Sequence, residues 1–476
     1  MKRTRHGLAA VLLCILTILG GCGTQSTAED SSDTETVPSE LTATASESAI
    51  DTASLFNDRD LAGTYDESEA VTIQLNGDSA SCDSDSVVID GSTVTITAEG
   101  VYLLSGALTD GQVIVNAADT DKVQLVLAGA DITSSTSAAI YALEADKVFV
   151  TLAEGTENTL TNGGEYVAID DNNIDAVIFA KTDLTLNGAG SLTINAQGDA
   201  ISAQGALQID GGTFDLYTGE GSESVEMTNS DQLGQWGGGQ RSRGSAPQAE
   251  TAATDEDSIS QKGIKGESAY AINGGTFAID SADDCLHAGG VMTIVDGTFT
   301  LNSGDDAVHC DDALTILNGT FTIPYCYEGI EGLSITIDDG IFDITSHDDG
   351  LNAAGGTDSS GFGGFGGRQQ DGFSASSDSF ITINGGTFTI VSGGDCVDSN
   401  GALTINGGTL NLTCNGSGDT AIDCDGTYTN NGGDVTTNDG SENSLGQMGG
   451  GMGGRSGTGG QNGVEAPGEI RRSPGA

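Results

Sequence analysis

Positive charge is scarce in this chain: 15 Lys and Arg stand against 70 Asp and Glu in 476 residues, a formal net charge of −55. Three of the basic residues, Lys2, Arg3 and Arg5, precede Cys22, so the remainder is more acidic still. Such a surface cannot neutralise phosphates, which excludes nucleic acid as a partner, and it repels anionic lipid. Proline (5) and tryptophan (1) are rare, and no apolar run reaches the ~18 residues of a membrane helix. Cysteine is sparing too: nine in all, with no C-x-x-C pair. Setting aside Cys14 and Cys22 leaves an odd number, which cannot all pair within one chain, so buried thiols are expected rather than a disulfide framework. Glycine, by contrast, numbers 73. No G-X-Y period accompanies it, and the Val, Ile, Leu and Thr content is too high for a wholly disordered chain.

The amino terminus reads as an export signal. Basic Met1 to Arg5 precedes an apolar run from Leu8 to Leu19, and Leu19-Gly20-Gly21-Cys22 follows. That pattern resembles a bacterial lipoprotein cleavage site, with residues 1–21 removed and Cys22 lipidated. Residues 22–67, rich in Ser, Thr, Ala, Asp and Glu, read as a flexible tether. Residues 438–476, with Gly-Gly-Gly-Met-Gly-Gly, read as a disordered Gly-rich tail.

Between them the chain repeats. A Gly-Thr-Phe phrase ends at Phe277, Phe299 and Phe321, changes to Gly-Ile-Phe at Phe342, and returns at Phe388, giving steps of 22, 22, 21 and 46 residues. Gly408-Thr409-Leu410 follows after another 22, and an earlier copy closes on Phe214. The long step holds a Gly-rich insert near 355–377, and a second insert lies near 219–258. Each repeat carries three short stretches of period-two alternation separated by Gly-Gly, Asp-Gly or Asn-Gly. The first places Phe277/Ile279, Phe299/Leu301, Phe321/Ile323, Phe342/Ile344 and Phe388/Ile390 inward. The second places Leu286, Val308, Ile330, Leu351, Val397 and Ile422 inward. The third places Met292/Ile294, Leu314/Ile316, Ile335/Ile337, Ile381/Ile383 and Leu403/Ile405 inward. Helix signals are nearly absent. The expected fold is all-β: a right-handed parallel β-helix over 68–437, three strands per coil of about 22 residues, with like residues stacked ~4.8 Å apart.

Stacking turns spacing into rows. Just before the second strand stand Lys262, Asp284, Asp306, Glu328, Asp349 and Asp395, with further acids at Asp283, Asp305 and Asp348. Just after its inward side chain stand Lys265, His287, His309, Glu331, Asn352, Asp398 and Asp423. Neighbouring carboxylates ~4.8 Å apart repel by roughly 0.9 kcal/mol at ε ≈ 80 and about 3.5 kcal/mol at ε ≈ 20. From Gly266 to Cys424 the only Lys or Arg is Arg368, inside the Gly-rich insert, so no internal amine is expected to neutralise the row. A hard divalent ion, calcium, is the natural remedy; the other reading is a solvated acidic face. The acids of the first row are thus candidate metal ligands, and His287, His309, Glu331, Asp398 and Asp423 candidate ligand-binding residues. No EF-hand loop is present. Cys285, His287 and His309 match no zinc spacing; Cys285 and His287 are expected on an exposed face and Cys310 inward. Tyr325 and Tyr327 are candidate sugar-stacking rings.

The sequence resembles the calcium-containing, polysaccharide-binding parallel β-helix lipoproteins of clostridia and related bacteria. The resemblance covers most of 70–430. It rests on Gly100-Val101-Tyr102-Leu103-Leu104-Ser105-Gly106, Lys122-Val123-Gln124-Leu125-Val126-Leu127 and Ala138-Ala139-Ile140-Tyr141. It continues through Lys147 to Gly155, Leu184-Thr185-Leu186-Asn187-Gly188, Lys262-Gly263-Ile264-Lys265 and the Asp-rich repeats. It implies binding of cellulose-like and acidic plant polysaccharides such as polygalacturonate, with calcium, by a protein shaped like a pectate lyase.

The leading expectation is therefore a monomeric, non-catalytic polysaccharide binder on the extracellular face of the cell membrane, held there only by its lipid anchor. Two others stand beside it. One is a lyase or hydrolase: Asp283-Asp284 and Asp305-Asp306 resemble the paired aspartates of polygalacturonases, but the G-H-G and R-x-K motifs are missing, and Lys262 and Lys265 are the only internal amines placed to serve a lyase as base. The other is an adhesin without glycan specificity.

Overall fold

The computed structural model describes residues 52–163, 166–167, 174–225, 227, 260–354 and 378–443. Cys22, residues 1–51, most of the first insert, the whole second insert and everything after Asn443 lie outside the described residues.

Among the described residues there is no α-helix, and the strands form one hydrogen-bonded mixed sheet. Antiparallel pairing is confined to its start, where Val71–Gly77 meets Ala80–Ser81 and Val87–Asp90 meets Thr93–Ile96. Every other pairing is parallel and joins a strand to its counterpart one repeat away. The register aligns like residues: Phe277 with Phe299, Leu286 with Val308, Met292 with Leu314. Three parallel ladders result; the predicted alternation holds in the first, whereas Leu286–Ala288, Leu351–Ala353 and Met292–Ile294 are buried at every position. Phe299 and Leu301 are fully buried in Thr298–Ser303 while Thr298 and Thr300 are exposed.

The phenylalanine ladder is the regular part of the core. Phe214, Phe277, Phe299, Phe321, Phe342 and Phe388 stack with centroids 4.5 to 5.0 Å apart and planes within 11°. The glycine two residues before each ring makes room for it. At Gly319 (φ 143°) an added Cβ would lie 2.9 Å from the Phe321 ring, so a side chain there is excluded by conformation and by contact. The free thiols Cys285, Cys310, Cys326, Cys396 and Cys414 are buried in the same core.

Two expected boundaries move. Within the tether expected over 22–67, Phe56 and Asp60 are buried. Asp60 forms an ion pair with Lys147 at 2.6 Å and accepts the Thr185 hydroxyl at 2.7 Å, while Asn187 donates to its carbonyl at 2.9 Å. Arg59 lies 4.5 Å over the Phe149 ring. The buried Lys147 ammonium needs a counter-charge, and this segment supplies it. At the other end the sequence predicts a tail from 438. Asn438 instead bonds both the N–H and the carbonyl of Cys414, and Asp439 accepts the Ala421 N–H, so residues 438–443 close the last described repeat.

Candidate cation and ligand rows

The second ladder positions the site. Its strands are only three residues long in places, as in Leu286–Ala288, Leu351–Ala353 and Val397–Ser399. Each is preceded by an acid and a small residue and begins with an inward aliphatic followed by an outward polar residue. Where that small residue is Gly329, a Cβ would sit 2.3 Å from the Gly350 carbonyl oxygen. Outward side chains align across repeats in the order Lys265, His287, His309, Glu331, Asn352, Asp398. Asp423 carries the row on, exposed, after the isolated Val397–Ile422 bridge.

The acid row has a structural duty that the sequence did not disclose. Four of its carboxylates accept the N–H of the residue one repeat on: Asp199 from Lys262 (2.7 Å), Asp284 from Asp306 (3.1 Å), Asp306 from Glu328 (3.3 Å) and Asp349 from Asp395 (2.6 Å). Asp395 accepts from Thr420. These acids cap backbone donors between repeats; Asp199, Asp284 and Asp306 are buried, and Asp349 and Asp395 half-buried.

The two ends of the row differ in charge. At the head, Lys262 reaches Asp283 at 2.8 Å and Asp284 at 2.6 Å. This corrects the expectation that no internal amine neutralises the row; Lys262 serves the repeat after its own. Burial alone would push Asp284 up, but Lys262, His287 and His309 outweigh it and hold that carboxyl well below the usual range. His287 bonds Asp284 at 2.9 Å. His309 lies within 3.2 Å of Asp306, Asp311 and Glu331. Burial disfavours its charge, but the three carboxylates prevail and raise its pKa well above the ordinary value. The two imidazoles stack at 5.1 Å. His287 and His309 were expected as ligand contacts on an open face; both are buried, each bonded to an acid. Cys285, expected exposed, is fully buried, with Sγ 3.1 Å from the Asn302 carbonyl.

Further along, Glu328, Asp349 and Asp395 lie among other carboxylates. Burial, then neighbouring carboxylates, push Glu328 and Asp349 well above the usual range. Asp395 is pushed up to about 8 by burial, Asp398 and Asp423, against the Thr420 N–H. Asp348 accepts the hydroxyl of Tyr327, whose ring is buried. Tyr327 is therefore not an exposed sugar platform; Tyr325 is half-buried.

Three groups bring ligand atoms within 4.8 Å of one another: Asp283/Asp284/Asp305, Asp306/His309/Glu331 and Asp395/Asp398/Asp423. The first already holds an ammonium and the second an imidazole. The third is all carboxylate, partly open, with its central acid protonated near neutrality unless a cation adds charge. Near it, Asn352 donates to Glu328 at 2.9 Å while its buried Oδ1 accepts no hydrogen bond. A buried carboxamide oxygen without a hydrogen-bond partner, beside a group of carboxylates, suits a hard divalent ion. The fit is good at this end and poor at the head.

A family model for carbohydrate-binding domain-containing proteins matches residues 90–198, 190–307 and 305–449. The chain belongs to that family. A protein of the same description from Acetivibrio thermocellus is 36% identical over 146 residues, 30% of this chain and 51% of its own length. The match thus spans about half of that relative. A solved structure, a gadolinium derivative of a polysaccharide lyase-like protein from C. thermocellum, aligns over 78% of this chain and 94% of its own, with 21% identity and a TM-score of 0.33.

Proposed function

We propose that this protein is a non-catalytic, cell-surface polysaccharide binder: a right-handed parallel β-helix, monomeric and lipid-anchored through Cys22 on the extracellular face of the membrane. In this reading its ligand is an acidic glycan of the polygalacturonate class, held with the help of calcium. Family membership supports the carbohydrate, and parallel pairing one repeat apart in all three ladders supports the helical course. The observation that carries the cation is the run of Glu328, Asp349 and Asp395, all pushed above the usual carboxylate range. Asp395, Asp398 and Asp423 would hold calcium, with Asp349 and Asn352 beside them. When bound, calcium supplies the positive charge without which a chain at −55 repels a polyuronate.

Two amines argue against elimination chemistry. Lys262 is buried and shared between two carboxylates. Lys265 is opposed by burial, but Asp199, Glu267 and Asp175 raise its pKa, so it keeps its proton. Neither is suited to abstract a sugar proton, a task that calls for an amine with its pKa lowered towards neutrality.

The test is titration calorimetry of the protein with polygalacturonate, in calcium and then in chelator. A saturating heat that disappears with chelator supports the reading. Full binding in excess chelator refutes the role of calcium, and a continuous heat with unsaturated products refutes the non-catalytic assignment.

A further inference from the structure

One column outside the rows is interrupted. Past the first ladder each repeat turns towards the second. The pairings of Thr345 with Val391 and of Ser392 with Cys414 bring His347, Gly393 and Asn415 into line in successive repeats. Gly393 has no room for a side chain, because a Cβ would collide with the His347 carbonyl oxygen. The repeats that carry the imidazole and the carboxamide are two strand spacings apart, roughly 9.6 Å, with no side chain from the intervening position. Gly304 stands at the same point of an earlier repeat: its N–H takes the Ser281 carbonyl at 2.8 Å, as that of Gly393 takes Ser346 at 3.1 Å. There the Val225 side chain packs over the glycine and fills the space. Beside Gly393, among the described residues, a cavity of about 330 Å³ stays open.

We propose that this cavity is a subsite for one neutral sugar unit, and that it works without a metal ion. The inference goes beyond the function proposed above, which holds an acidic glycan with calcium. The volume lies at the lower end of the ~300–1,000 Å³ of small-molecule sites, so it admits a ring or two of a polymer. The lining is polar and includes no Asp or Glu. Ser346 and Ser392 are buried and donate their hydroxyls to the Asp348 and Gly394 carbonyls, so they shape the cavity. Thr345, Asn415 and Ser417 are exposed and meet the ligand. Hydroxyl and carboxamide groups both donate and accept, which matches the hydroxyls of a sugar. His347 Nε2 is buried in the wall without a hydrogen-bond partner, a cost that a ligand hydroxyl relieves. The Tyr327 ring, 6.1 Å away, braces the imidazole. Asp419 stands at the edge, against Gly416. In a chain at −55 that border repels a uronate and favours an uncharged sugar.

The experiment is titration calorimetry of the full chain in chelator, with cellotetraose and mannotetraose as neutral probes, and in calcium with tetragalacturonate. At least one neutral probe should bind saturably in chelator. Asn415→Ala should weaken that binding about tenfold, and Ser417→Trp, which fills the cavity from its rim, should abolish it. Both positions are exposed, so the variants should keep the native melting temperature. Thr322→Ala, exposed in another repeat, should change nothing. Tetragalacturonate in calcium should bind all three variants as it binds the native chain. Failure of both neutral probes overturns the proposal. So does neutral binding that Asn415→Ala and Ser417→Trp leave intact, or that Thr322→Ala weakens equally. Loss of tetragalacturonate binding in the cavity variants overturns the neutral assignment. Neutral binding in chelator, beside a native chain that ignores tetragalacturonate in calcium, leaves this inference standing and refutes the acidic-glycan reading.

Discussion

Asp395→Asn provides a sharp test of the far end of the row, because its effect should reverse sign with calcium. The carboxyl pKa is raised from the ordinary 3.8 to about 8 in the folded chain. The native state therefore binds the proton more tightly than the unfolded one. Its contribution to stability is complete below pH 3.8 and is lost as the pH rises to about 8. At ~1.4 kcal/mol per unit, the loss by pH 7 is about 4 kcal/mol. Asp395 is partly exposed, and solvent screening brings this nearer 2 kcal/mol. Asparagine removes the charge and keeps an oxygen for the Thr420 N–H that Asp395 now accepts. In chelator the variant should match the native protein at pH 4, then gain on it up to pH 8, by about 2 kcal/mol at neutrality. Calcium at 100 times its dissociation constant would add about 2.7 kcal/mol to the native protein. The variant lacks a ligand and gains less, so its advantage disappears or reverses. Denaturant midpoints by circular dichroism at pH 4, 6 and 8, in both conditions, give the comparison. An Asp395→Asn protein less stable than native in chelator at pH 8, or a difference that ignores pH, would refute the reasoning.

Other outcomes follow from the same geometry. Phe321→Ala opens a cavity between the rings of Phe299 and Phe342, 4.5 and 4.9 Å away, and should cost about 3–5 kcal/mol in denaturant unfolding. Asp60→Ala leaves the Lys147 ammonium buried without its 2.6 Å partner; a loss of about 3 kcal/mol and faster tryptic cleavage after Arg59 are expected. Tyr327→Phe removes the hydroxyl bonded to Asp348. It should lower stability by about 1 kcal/mol and leave glycan affinity unchanged, whereas a change in affinity would restore Tyr327 as a sugar contact.

Much of this architecture was legible before any coordinate. Period-two alternation tells inward from outward residues in a strand, and a constant repeat length makes like positions neighbours. The phenylalanine stack, the inward aliphatics and the two outward rows follow from those two facts alone. The composition of the acid row was equally plain, because only Arg368 interrupts the absence of Lys and Arg from 266 to 424. What periodicity cannot reveal is a contact that breaks it. Asp60 meets Thr185 across 125 residues of sequence, from a segment with no repeat of its own. Lys262 is separated from Asp199, the preceding member of its row, by the insert between them. Its reach to Asp283 and Asp284 depends on side-chain torsions rather than strand register. Burial of Tyr327 and His287 likewise depends on how each repeat packs against its neighbour. Local pattern determined the rows, and tertiary packing decided which of their charges are answered from within.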